Sequence, residues 1–356
     1  VDQAFFVQTP GNPHATGSGA SLGSITYRDK YDHNFIKELV LDWIESFGDH
    51  NINITLSAMD QQYGFKFIQT GTSEVQQEDP DKRYIRENQE YTTVGEWIDN
   101  SALQGFMARA SYNYASKYYV DATVRRDGSS KFAPDYRWGT FPSFALAWRM
   151  SAENFMSGIT WLNDLKWRAG WGQLGNQETA SFAWLSGVSR APQYAYGSGL
   201  GDAYGNNVNG LFLPDFPNEE LSWETSTTLN IGFDAIFFKN RFTATVEWYD
   251  RLTEDILQPS ALPYSVGNYN NPILNIASVR NRGWEFQLGW RDVAGDFQYF
   301  INGNLTTVHN EVMEVWNDQP FGDESARIEK GYPLNYLWGF QVDGIYQSDE
   351  EVTNWW

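Results

Sequence analysis

The chain has no cysteine, few basic residues, and no apolar stretch long enough to cross a membrane as a helix. Without thiols there are no disulfides and no thiolate metal sites. The 25 Lys and Arg stand against 45 Asp and Glu, a formal net charge of -20. That sign is wrong for neutralising phosphates, so no nucleic-acid partner is expected. Much of the acid falls in expected loops (Glu74, Glu78, Asp79 and Asp81; Asp318, Asp323 and Glu324) and reads as solvated surface. The 4 histidines, His14, His33, His50 and His309, are scattered without metal-ligand spacing, so neither metal nor cofactor is expected. Catalytic signatures are also missing. Ser186-Gly187 and Gly197-Ser198-Gly199 do not form the Gly-x-Ser-x-Gly elbow, and no phosphate-binding glycine loop ends in Lys-Ser/Thr, so no catalytic residue is assigned and the chain does not read as an enzyme. Val1-Asp2-Gln3-Ala4 lacks the basic start and apolar core of a secretion signal.

What the chain has is alternation. Trp284, Phe286, Leu288 and Trp290 alternate with Glu285, Gln287, Gly289 and Arg291, then Ala294-Gly295-Asp296 turns the chain, and Phe297, Tyr299 and Ile301 continue opposite Gln298, Asn302 and Asn304. A period of two places one set of side chains against one solvent and the other set against a different one. The same pattern marks Ile52 to Ala58, Tyr118 to Val124, Leu165 to Trp171, Leu229 to Ala235 and Phe242 to Trp248.

A soluble antiparallel sandwich also reads apolar-in and polar-out. Loop lengths and aromatics separate the two cases, because outer-membrane barrels pair short turns on one side with long loops on the other and carry aromatic girdles. Short connections are expected at Gly48-Asp49-His50, Ala115-Ser116-Lys117, Phe237 to Asn240 and Ala294 to Asp296, with Ser151 to Asp164 somewhat longer. Long ones are expected at about Gln61 to Gln104, Asp127 to Trp138, Gln173 to Glu224, and Asp250 to Arg282. Aromatic content is 17%, with 16 Trp, 20 Tyr and 23 Phe, yet the mean hydropathy is -0.52. A barrel produces that combination, since it shows its apolar residues at every second position only. The expected fold is therefore all-β, an antiparallel transmembrane β-barrel with few helices, Ser151 to Met156 being the best helical turn. About ten strands are countable, with one more around Ser24 to Lys30, which would be under half of a 22-stranded plugged barrel. Trp284, Trp290, Trp248 and Tyr118 suit an interfacial girdle.

Several runs, taken together, resemble the SusC/RagA-type TonB-dependent transporters of the Bacteroidetes outer membrane. They are Val124 to Phe132 (VRRDGSSKF, with Asp127 and Gly128), Arg137-Trp138-Gly139-Thr140-Phe141-Pro142-Ser143 and Ala147-Trp148-Arg149, and Leu165-Lys166-Trp167-Arg168 leading into Gly170 to Gln177, with Gly172, Gly175 and Asn176. They continue through Leu221-Ser222-Trp223-Glu224-Thr225, Asn230-Ile231-Gly232, Val279 to Glu285 with Gly283, Trp284 and Glu285, Gly331-Tyr332-Pro333-Leu334, and Val342 to Tyr346. The resemblance covers about Gly105 to Gln347 in order and approximate spacing. It implies that residues 1–356 are one partial barrel domain with external loops, integral to the outer membrane, the plug, TonB box and final strands lying outside this chain.

For the whole protein the resemblance implies import of an oligosaccharide or a peptide, a SusD-like surface lipoprotein as cap, energy from TonB-ExbB-ExbD, contact with outer-membrane lipid, and a dimer of transporter–lipoprotein pairs. The alternative is an extracellular carbohydrate-binding or adhesive β-sheet protein without transport. Arg125 shares the lumen-facing parity, where it pairs with lumen acids or with the plug, and Asp127-Gly128 is expected to turn the chain. Ligand-contacting candidates are Trp184, Tyr194, Tyr196, Tyr204 and Phe212, whose rings sit among Gly, Ser and Asn in the longest expected loop. Docking on the lipoprotein, or packing of the loop on itself, remains open for the same rings.

Overall fold

The structure is a computed structural model that describes residues 3–7, 23–75, 91–189, 193–195, 207–260, 264–266, 270–322, 326–342, 344, 347–348 and 350. Its strands are β1 (Gln3–Val7), β2 (Gly23–Phe47), β3 (His50–Val75), β4 (Tyr91–Tyr114), β5 (Tyr118–Ser129), β6 (Trp138–Arg149), β7 (Leu162–Asn176), β8 (Gln193–Ala195), β9 (Asn207–Asn209), β10 (Glu224–Phe237), β11 (Phe242–Pro259), β12 (Ile273–Ala294), β13 (Phe297–Thr306), β14 (His309–Glu314), β15 (Phe321–Gly322), β16 (Ala326–Ile328) and β17 (Tyr336–Leu337). One 12-stranded sheet runs β1-β2-β3-β4-β5-β6-β7-β10-β11-β12-β13, with β14 also on β12; β8-β9 and β15-β16-β17 form small separate sheets in the loops. Each strand of the large sheet pairs antiparallel with the next, as in an up-and-down wall. Among the described residues no helix is long and apolar enough to cross a membrane. The connection after β6 holds two 3-10 turns, Met150–Ala152 and Asn154–Met156, at the expected helical turn.

The tight turns come where the sequence places them. Gly48 (φ 59) and Gly295 (φ 64) supply left-handed backbone for two of them. Ala115 (φ 51) and Ser116 (φ 53) take the same region without glycine. There the Ser116 amide donates to Asn113 Oδ1 at 2.9 Å, which offsets part of the strain.

Directly opposed residues share a face, so the pairing carries each side chain's orientation from strand to strand. Starting on β3, Ile52 faces Tyr112, Tyr112 faces Val120, Val120 faces Leu146, and Leu146 faces Ala169. Ala169 faces Ile231, Ile231 faces Trp248, and Trp248 faces Trp284 on β12. One apolar row therefore crosses the wall from β3 to β12. The neighbouring row reads Asn53, Ser111, Asp121, Ala145, Gly170, Asn230, Tyr249 and Gly283 and belongs to the other face. A soluble sandwich would bury the apolar row. Here Leu146, Ile231, Trp284 and Leu288 are all exposed, at 45%, 45%, 49% and 45%.

The apolar face ends sharply. On that side Lys37 faces Asp60, which faces Gln104, with Lys37 Nζ 3.9 Å from Asp60 Oδ2 and Gln104 Nε2 donating to Asp60 Oδ1 at 3.3 Å. From His50 at the short turn to this polar row the strand covers about ten residues, the length a tilted strand needs to cross hydrocarbon. Trp248 and Trp284 stand next to a similar boundary, since Asp250 and Arg282 lie two residues from them on the same face, opposite each other in register, and Asp250 is ion-paired with Arg280.

The structure corrects several expectations. Residues from Gln61 to Gln104 are mostly strand: β3 and β4 stay paired from Asp60–Gln104 to Thr72–Tyr91, leaving the connection at 76–90. Above the boundary both faces of the ribbon meet water, so the apolar–polar period that would mark the strands is lost. The stretch from Asp250 to Arg282 is likewise strand as far as Pro259 and again from Ile273. The strand sought near Ser24 to Lys30 runs from Gly23 to Phe47. Its period is spoiled by Val40 and Ile44, which fall on the polar side opposite Ser57 and Asn53. Finally, Asp127-Gly128 is not a turn, because β5 continues to Ser129, with Asp127 opposite Gly139 and Gly128 opposite Trp138.

Candidate functional site

The runs that carry the resemblance converge where the polar face meets the long loops. Phe141 lies in a slot between two glycines: a Cβ at Gly175 would stand 2.1 Å from its ring tip, and one at Gly139 2.4 Å. The Phe141 ring meets Trp223 edge-on (5.5 Å, 68°), and Trp223 packs on Phe132 at 5.4 Å. Phe132 and Leu221 are fully buried, and Leu103, Trp184, Leu257 and Ile273 close around them. Trp223 Nε1 donates to the Arg137 carbonyl at 3.0 Å, so the buried indole is satisfied. Next to it, Glu224 accepts from the Leu257 amide and from Asn176 Nδ2, both at 2.7 Å. Asn275 clamps Ser222 from both sides, its Nδ2 donating to the Ser222 carbonyl at 3.0 Å and its Oδ1 accepting from the Ser222 amide at 3.1 Å. This knot anchors both ends of the 177–223 loop and the start of β12.

Arg125 sits on the polar side, opposite Phe141 in register. Its Nε donates to both Asp127 oxygens, at 2.9 and 2.7 Å. The pair lies flat because the neighbouring strand offers Gly105, where a Cβ would stand 2.5 Å from Asp127 Oδ1. Asp127 is buried, while the Arg125 side chain keeps 41% of its surface. Other charges on this face are paired too, Arg109 with Asp121 at 2.8 Å and Arg168 with Asp234 at 3.2 Å and with Glu247.

Gly128 has a spatial purpose on the apolar side: the Trp138 ring covers it, 2.8 Å from where a Cβ would be, stacked on Phe106 at 6.2 Å with the Arg126 guanidinium over it at 5.4 Å. Gly172 makes room for Ser143. Gly283 accommodates the Thr307 carbonyl where the chain kinks between β13 and β14; beside it the Thr307 amide donates to the Trp284 carbonyl at 2.8 Å, and the Trp284 amide to Thr307 Oγ1 at 3.0 Å. Glu285, the next residue of the run, falls on the polar side opposite Glu247.

The loop candidates separate. Trp184 packs against the buried knot, and its Nε1 is buried without a hydrogen-bond partner among the described residues. Phe212 is half-buried and bonded through its backbone to Ser189 at 2.9 and 3.0 Å. Tyr194 belongs to β8, but its side chain, like Tyr196 and Tyr204, lies outside the described residues.

At the opposite end, Glu153 in the turn after β6 joins two connections. It receives Lys117 Nζ at 3.0 Å, Tyr118 OH at 2.6 Å and Trp148 Nε1 at 3.2 Å. These bonds, the Tyr118 hydroxyl first, hold its carboxyl below the usual carboxylate range. The sequence signal missed here is weak, a single acid in a polar turn. The glycine slot was missed because Gly139 lies two residues from Phe141 on β6, whereas Gly175 reaches the same ring only once β7 packs beside β6.

Comparison with known proteins agrees with this architecture. A family described as "TonB dependent receptor-like, beta-barrel" matches residues 3–344. The TonB-dependent receptor SusC of Bacteroides thetaiotaomicron is 33% identical over 302 residues, 83% of this chain and 28% of the relative. The TonB-dependent receptor P39 of Formosa agariphila is 34% identical over 259 residues, 72% of this chain and 24% of the relative. Among solved structures, that of the RagAB peptide transporter superposes with a TM-score of 0.78 at 22% identity, over 93% of this chain and 36% of that one. The chain thus spans between 24% and 33% of the length of the curated relatives it matches. It belongs to the TonB-dependent receptor-like β-barrel family, of the SusC/RagA type.

Proposed function

We propose that the intact protein imports an oligosaccharide or a peptide across the outer membrane, and that this chain supplies part of the barrel wall and its external loops. The observation that carries the reading is the register: one exposed apolar row crosses the wall while ion pairs and hydrogen-bonding side chains occupy the other face. That is the arrangement of a wall between hydrocarbon and a wet interior. In this reading a plug and TonB box come from the rest of the protein, TonB-ExbB-ExbD supplies the energy, and a SusD-like lipoprotein closes the outer mouth. The knot around Phe141 and Trp223 fixes the roots of the loops on which such a lipoprotein would rest. No chemical step is assigned to any side chain.

The test is a clean deletion in the source organism, grown on single glycans and on peptides. Loss of growth on one nutrient class, restored by the gene in trans, is the expected result. Normal growth on every glycan and peptide supplied would refute import.

A further inference from the structure

The ribbon formed by the upper halves of β2, β3 and β4 carries aromatic rings on the face where a lipid anchor has no use for them. Tyr63, Phe65 and Phe67 follow one another at every second position of β3, and Trp97 stands opposite Phe67 on β4. By register they share the side of Asn53, Ser111 and Asp121, not that of the apolar row. They also lie beyond the Lys37–Asp60–Gln104 boundary, at a height where the opposite face carries a Lys66–Glu96 ion pair. Both faces of the ribbon are therefore in water. Trp97 is nonetheless 65% exposed, and exposed aromatics clustered on a wet surface mark binding sites.

The cluster has a definite shape. The rings of Phe65 and Phe67 are nearly parallel (9°) with centroids 6.4 Å apart, so they make one regular strip along β3. Lys30 Nζ lies over the Phe65 ring at 5.2 Å and Arg28 Cζ over the Phe67 ring at 5.9 Å, so cations from β2 cover one side of the strip and leave the β4 side to a ligand. Asp32 and Asp99, both opposite Phe65, are the acids on the same face. On the β4 side the strip borders a shallow, open depression of about 490 Å³ lined by Phe65, Phe67, Gln69, Gly95, Glu96 and Trp97. Gly95 stands opposite Gln69 and leaves a notch, since nothing lies within 4 Å of where its Cβ would be.

The geometry points to a capture site for a pyranose oligosaccharide on this strip, at the outer approach to the polar interior. Flat C–H faces of sugar rings match flat aromatic rings, and Gln69, the acids and the cations are the groups that would hydrogen-bond hydroxyls or hold a sugar carboxylate. This rests on the import reading above and names which of its two cargo classes the wall would meet first.

The test uses the intact protein in lipid nanodiscs and calorimetric titration with maltohexaose, cellohexaose, hexagalacturonate and a hexa-alanine peptide, alongside uptake by cells. Two variants act in opposite ways: Trp97→Ala removes a ring, and Gly95→Leu fills the notch while leaving every ring in place. The expected result is binding of at least one hexasaccharide, neutral or acidic, weakened about tenfold or more by both variants, with Ile98→Ala on the opposite face unchanged. Saccharide binding indifferent to both variants, or peptide binding through the same residues, overturns the site. If uptake persists unaltered in both variants the site fails while import stands; if wild-type cells take up none of the probes and the protein binds none, both fail.

Discussion

Gly283→Ala is the substitution whose effect the structure specifies most closely. A Cβ at Gly283 would lie 1.9 Å from the Thr307 carbonyl oxygen and 2.9 Å from its carbon. Ordinary C···O contacts begin near 3.3 Å, so the 307 backbone must retreat by roughly 1.4 Å. That motion breaks the bonds exchanged with Trp284, at 2.8 and 3.0 Å. Two lost hydrogen bonds cost about 1 kcal/mol each, more if a group is left buried, and the lost chain entropy of glycine returns about 0.4–1 kcal/mol. The net expectation is a loss of about 1–1.6 kcal/mol, and more if a broken bond leaves a buried group unpaired. The control is Gly170→Ala, in the same register row, where the nearest atoms would be at 3.9 and 4.0 Å; it should change stability by less than about 0.5 kcal/mol. The assay is urea unfolding of the intact protein refolded into detergent, followed by Trp fluorescence and by the heat-modifiable gel band. Equal midpoints for Gly283→Ala and Gly170→Ala would refute the reasoning.

Further expectations concern the knot, the ion pair and the lower turns. Gly175→Ala should cost about 1–3 kcal/mol by displacing Phe141, and adding Phe141→Leu should recover part of it; strict additivity in the same unfolding assay would show that the slot does not exist. Asp127→Ala should lose about 1–2 kcal/mol by stripping Arg125 of its partner, with Gly105→Ala close behind; a Gly105→Ala protein as stable as wild type would contradict the flat pair. Because the Glu153 carboxyl titrates lower folded than unfolded, its stabilisation is complete above the ordinary carboxylate value of about 4.3 and disappears as pH falls through the folded value. Glu153→Gln should remove that part of the acid sensitivity between neutral and pH about 3, and identical pH curves for the two proteins would count against the clamp.

How much of this was visible in the chain depended on the solvents each segment meets. The β12–β13 hairpin was legible because hydrocarbon on one side and a polar interior on the other impose a period of two on Trp284, Phe286 and Leu288. β3 became invisible above the boundary, where Phe65, Lys66, Phe67 and Ile68 obey no such contrast. β2 was hidden for another reason, the apolar Val40 and Ile44 on its polar side. Motif residues were recognisable by resemblance, yet their purpose was not. Asp127-Gly128 has the composition of a turn, but Gly128 is there to lie beneath Trp138, a need that arises only once β5 and β6 are paired. Phe141, between glycines contributed by two strands, teaches the same lesson.

The most direct test of the account places nitroxide labels singly at each position from 284 to 290 of the intact protein in bilayers and measures collision with oxygen and with a water-soluble nickel chelate. Oxygen accessibility should peak at 284, 286, 288 and 290 and nickel accessibility at the positions between, a period of two across β12. A flat profile, or one with the two reagents exchanged, would contradict a wall that turns its apolar row to lipid.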